Sequence, residues 1–147
     1  MTTLFEIYEA AMDNAGNHDG EVNAHYFMDY AEGAMGITLD RDQAEYMEKI
    51  HNQYAALPWD QEYQNQYHHH VEKPLDVEAR KTARIFAEPT GLYHVCNDDG
   101  NMLDARGGGH RTKADAMRAA AFDGFTHATG SGCYWEGVRR IPAELRG

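Results

Sequence analysis

Apolar positions along the first part of the chain recur at helical spacing. Leu4, Phe5, Tyr8, Ala11 and Met12 fall on one face, Thr3 with Glu6 forms a capping box ahead of them, and Asn14–Gly16 ends the run. A second helix is expected from about Glu21, with Val22, Tyr26, Phe27, Tyr30, Ala31 and Ala34 facing inward and Gly36 as its stop. Thr38 or Asp40 caps a third, which carries Ala44, Met47, Ile50, Tyr54 and Leu57 to Pro58. Tyr63, Tyr67 and Val71 suggest a short fourth helix, and Leu75, Ala79, Thr82 and Phe86 a fifth that starts at Pro74.

At residue 90 the period changes. Leu92 to Cys96 is short and β-rich, Asp98, Asp99, Gly100 and Asn101 supply turn chemistry, and Met102 to Arg106 reads as the returning strand. Thr112 caps a helix in which Ala114, Met117, Ala121 and Phe125 share a face, with Gly124 at its end. After a turn at Gly130–Gly132, Cys133 to Ile141 reads as a last strand. The fold class is therefore α+β: four to five short helices in an N-terminal region, residues 1–88, followed by a β-β-α-β unit, residues 89–147. The second is expected to pack against the first, as two regions or as one compact domain.

Charge sharpens this division. The 147 residues carry a formal net charge of −11, but residues 1–79 hold sixteen acids and three bases, whereas residues 80–147 hold eight acids and ten bases. Seven of the nine tyrosines lie in the acidic part. So negative a chain disfavours non-specific contact with nucleic acid or an anionic membrane, and no apolar run reaches the length of a membrane span. Two cysteines and seven methionines suit a cytoplasmic chain.

The broadest chemical signal is a set of carboxylates at helical spacing. Glu6, Glu9 and Asp13 form a stripe on the first helix, and Asp29 with Glu32 and Asp42 with Glu45 repeat it on the next two. Neighbours three or four apart sit about 5–6 Å from one another, comparable with phosphate spacing along a nucleic-acid strand. Lys49, four residues after Glu45, is the exception in segments that otherwise place few lysines against the stripes. The pattern predicts a non-enzymatic binding or inhibitor protein that docks on a basic, nucleic-acid-holding surface of a partner protein or nucleoprotein complex, with no direct nucleic-acid contact, no cofactor and no metal. In size, charge and stripes it is similar in character to small phage- or plasmid-encoded anti-CRISPR and anti-restriction nucleic-acid mimics, with no motif shared.

A competing expectation is a small ligand-binding domain or enzyme that holds a phosphate-bearing ligand on the segment Arg106, Gly107, Gly108, Gly109, His110, Arg111 and Lys113, where glycines lead from a strand into a helix N-terminus. Its spacing matches neither the Walker loop nor the dinucleotide fingerprint. A third assigns the weakly basic C-terminal part a nucleic-acid role through Arg106, Arg111, Arg118, Arg139 and Arg140. His94, Cys96, His110 and Cys133 are ligand types for zinc without a paired-ligand spacing, and three consecutive histidines, His68 to His70, diverge on a helix. Asp123, His127 and Ser131 lack the surroundings of a hydrolase triad. Tyr134 and Trp135 are candidate interface anchors, including for a homodimer.

Overall fold

The computed structural model describes residues 2–17, 20–57, 66–96, 109–131 and 137–146. The fold is α+β, and the chain forms two compact units, Met1–Ala79 and Arg80–Gly147. Their boundary falls where the charge balance changes.

In the first unit, α1 spans Leu4–Asn14, α2 Ala24–Met35 and α3 Arg41–Ala55. The expected cap on α1 is present, with the Glu6 N–H donating to Thr3 Oγ1 at 3.2 Å. Asn23 caps α2 by accepting from the Tyr26 N–H at 2.9 Å. Gly36 ends α2 at φ +69°, and the bond from the Ile37 N–H back to the Ala31 carbonyl closes that terminus.

Leu4, Ile7, Tyr8 and Ala11 of α1 are buried with Phe27 of α2 and Met47 and Ile50 of α3. The Phe27 ring lies 5.7 Å from Tyr8 and 6.5 Å from His51. A π-helical turn, His68–Glu72, buries Val71, and the chain then returns past the start of α1. There the Leu4 and Phe5 N–H groups donate to the Val77 and Leu75 carbonyls, and the Ala79 N–H donates to Thr2. The returning segment thus satisfies donors that a helix N-terminus leaves without intrahelical partners. Buried Gln43 joins it through a 2.9 Å bond to the Glu78 carbonyl.

The second unit is a four-stranded sheet in the order β2-β1-β3-β4. The strands are β1 Thr82–Ala87, β2 Tyr93–Cys96, β3 His127–Ser131 and β4 Val138–Arg140. The β1–β2 and β3–β4 pairs are antiparallel, while β1 and β3 run parallel. Helix α4, Lys113–Phe122, connects β2 to β3, and a short α5, Ala143–Arg146, ends the chain. Ala116 and Ala120 of α4 pack with Ala83, Ile85, Val95 and Ala128 on one face of the sheet.

Several expectations change here. The segment from Pro74 to Phe86 is not a helix: Pro74 lies in a turn and Thr82–Ala87 is a strand, so sheet structure begins before residue 89. Leu75, Ala79, Thr82 and Phe86 satisfy a helical period, but pairing on both sides of β1 outweighs that local pattern. The hairpin partner of β2 is consequently β1, joined through residues 88–92. The sequence His-Ala-Thr-Gly-Ser, read in part as a turn, is β3, between β1 and β4. Of the expected last strand, Val138–Arg140 is found as β4. The expected turn at 98–101, the expected strand at 102–106, and Cys133, Tyr134 and Trp135 lie outside the described residues, as do 59–65 of the fourth helix expected over 59–71.

Candidate functional site

All seven carboxylates singled out from the sequence are exposed. Glu6, Glu9 and Asp13 lie on α1 away from Leu4, Ile7, Tyr8 and Ala11, because that buried face takes the complementary helical positions. Asp29 and Glu32 project from α2, and Asp42 and Glu45 from the first two turns of α3. Asp42, in the first turn, also complements the helix dipole.

Asp29 Oδ2 pairs with His25 Nε2 at 3.0 Å on the surface of α2. Ala24, His25, Met28, Arg41 and Glu45 line a shallow groove of about 250 Å³ between α2 and α3. The groove brings Glu45 to the same surface as His25 and its partner Asp29. Arg41 lines the same groove, so the carboxylates of Glu45 and Asp29 stand beside a guanidinium and an imidazole.

His51, on the inward side of α3, accepts or donates across 3.1 Å to the Tyr8 hydroxyl. Burial holds its imidazole below the ordinary histidine range, and the Glu48 carboxylate opposes that shift. The neutral ring is therefore favoured in the packed unit.

In the second unit the glycine-rich segment has a packing role at its one described glycine. Gly109 adopts φ +87°, and a Cβ there would lie 2.8 Å from His94 Cε1. Its close approach and left-handed backbone both call for glycine. The next residue, His110, exchanges two backbone hydrogen bonds with Tyr93, at 2.7 and 2.8 Å. Arg111 is exposed, Thr112 caps α4 by accepting from the Asp115 N–H at 3.1 Å, and Lys113 is half-buried at the first helical position. Arg106, Gly107 and Gly108 lie outside the described residues.

The buried His94 imidazole under Gly109 has a carboxylate neighbour that no local spacing in the sequence predicts. His94 Nε2 lies 2.8 Å from Glu88 Oε1, and the Thr90 hydroxyl donates to Glu88 Oε2 at 3.0 Å. The Phe86 ring flanks His94 at 5.4 Å. Glu88 and Thr90 belong to the turn between β1 and β2, so only the hairpin register brings them to His94. A carboxylate-imidazole pair has acid-base chemistry, but His94 is 4% exposed. Its arrangement braces the turn and seats Gly109.

His94 and Cys96 share one sheet face by strand alternation, and His110 faces the other with Tyr93. Among the described residues no group of three or more His, Cys, Asp or Glu side chains is placed to hold a metal ion. His127 and Ser131 stand at the two ends of β3, about 13 Å apart at strand rise, and the His127 Nδ1 partner is the Thr126 hydroxyl at 2.7 Å. His68 of the triplet pairs with Glu72 at 3.1 Å. Among the described residues no helix is long and apolar enough to cross a membrane.

Comparison of the chain with protein-family models, curated proteins and solved structures returns no match.

Proposed function

We propose that the first unit is an acidic docking module that engages a basic surface of a partner protein, one that ordinarily holds nucleic acid, and that the protein acts as a binding inhibitor without catalysis of its own. The observation that carries this is the confinement of sixteen acids and three bases to one folded unit. Seven of those acids stand exposed on three consecutive helices. Carboxylates at 5–6 Å intervals would occupy phosphate subsites, and the net field would steer association. A phage- or plasmid-encoded anti-defence role, as a nucleic-acid mimic, fits this chemistry. The competing ligand loop draws less support, since the packing of Gly109 on His94 accounts for a glycine there.

The test is recovery of partners from nuclease-treated bacterial lysate, followed by elution with added duplex DNA and with salt. The expected result is one nucleic-acid-handling protein released by both. Glu9→Lys, Asp29→Lys and Asp42→Lys together replace attraction by repulsion. At about 1 kcal/mol per surface charge this weakens binding about a hundredfold. A triple variant that keeps its circular dichroism and still holds the same partner with unchanged affinity refutes the proposal.

A further inference from the structure

The sheet of the second unit has one face under α4; on the other, cations and rings stand among Thr82, His94 and Cys96, which are buried. Strand alternation and the pairing register place Arg84 and Phe86 of β1, His127 of β3 and Arg140 of β4 on the face opposite Ala83, Ile85 and Ala128, which pack with α4. Thr82 pairs with His127 and His127 with Arg140, while Arg84 pairs with Thr129. The four side chains therefore follow a diagonal across three strands, in the order Phe86, Arg84, His127, Arg140. At ordinary strand spacing and rise it extends about 16 Å.

Both arginines are exposed, and both rings are half-buried. Each ring is fixed: Phe86 lies against His94, and His127 is tied to the Thr126 hydroxyl. Exposed Val138 lies beside this line on β4. Arg84 lies in a segment whose spacing predicts a helix, so local pattern points to Arg140 and not to Arg84. Arg139 belongs to the other face, paired with Ala128.

We infer that this face binds a single-stranded nucleic-acid segment along the diagonal, with Arg84 and Arg140 on phosphates and the two rings against bases. Alternating cations and rings on a sheet match a chain of alternating phosphates and bases, and fixed rings stack with little loss of freedom. The second unit carries ten bases against eight acids, so its own charge favours an anionic ligand. At about 0.15 M salt the Debye length is about 8 Å, so a bound strand responds mainly to the charges beside it. This inference departs from the expectation of no nucleic-acid contact and stands independently of the docking module, whose carboxylates belong to the other unit.

The experiment uses the full chain with a fluorescein-labelled oligothymidylate of about 20 nucleotides, read by anisotropy at about 0.15 M salt, beside a duplex of equal length. Saturable binding that prefers the single strand is expected. Arg84→Gln with Arg140→Gln should weaken it about tenfold or more, while Arg118→Gln, at an exposed position of α4, leaves it unchanged. Ultraviolet crosslinking should map to peptides from β1 and β3. No saturation by about 100 µM protein, equal or tighter binding to the duplex, or equal losses in the Arg118 variant and the double variant overturns the inference. Crosslinks confined to the first unit do the same.

Discussion

Replacing Gly109 by alanine tests how the glycine-rich segment is held. The added Cβ would stand 2.8 Å from Cε1 and 3.0 Å from Nε2 of His94, where carbon contacts ordinarily settle at about 3.5–4.0 Å. The imidazole has little room to yield, because Glu88 Oε1 lies 2.8 Å from Nε2 and Phe86 flanks the ring. Overpacking of this kind costs about 1–3 kcal/mol. The backbone at φ +87° adds about 1–2 kcal/mol for a residue with a side chain. Together they predict a loss of about 3 kcal/mol, a large fraction of the stability of so small a unit. Urea-dependent hydrogen exchange of the β1 and β2 amides reads the second unit directly. The same substitution beside His94→Ala should cost only the backbone part, leaving a coupling of about 1–3 kcal/mol between the two sites. An equal loss in both backgrounds, or a loss below about 0.5 kcal/mol, refutes the packing argument.

Phe27→Ala, at the fully buried centre of the first unit, should lower its stability by about 3–5 kcal/mol, read as a fall in the urea midpoint. Asn23→Ala removes the cap on α2 and should cost about 1 kcal/mol in the same assay. The lowered pKa of His51 makes the unfolded chain the better proton binder, so its contribution is complete above about pH 6.5 and is lost as pH falls through the folded value. Urea midpoints measured from pH 7.5 to pH 5 should therefore fall with acidification, and His51→Gln should flatten that slope; an unchanged slope refutes the assignment.

What was legible in the sequence is what short-range chemistry decides. Thr3, Gly36 and Thr112 mark helix ends because caps and left-handed stops depend on a few adjacent residues. The exposure of Glu6, Glu9 and Asp13 follows from their spacing against Leu4, Tyr8 and Ala11. β1 was hidden because Thr82, Ala83 and Ile85 are buried on both faces while Arg84 is exposed, a pattern that is neither strictly alternating nor helical. β3 was hidden because Ala128 and Gly130 are small residues that gain their place from the neighbouring strands. The Glu88–His94 pair and the reason for Gly109 both depend on the hairpin register and on a long-range approach, and no local spacing encodes either.

The coincidence of fold boundary and charge boundary bears on function more than the total charge does. A uniformly acidic protein gains solubility from its surface, and that alone would explain scattered carboxylates. Here sixteen acids meet only three bases within residues 1–79, and the next unit is weakly basic. Like charges three or four residues apart slightly weaken the helices that carry them. None of the seven carboxylates is needed to fill the core formed by Leu4, Phe27 and Met47, since all seven are exposed. Net charge away from zero itself favours solubility, at the cost of self-repulsion within the unit. The concentration of one sign in a single folded unit, rather than the total charge, is what the proposed basic partner rests on, and it is absent from the unit that carries Arg84 and Arg140.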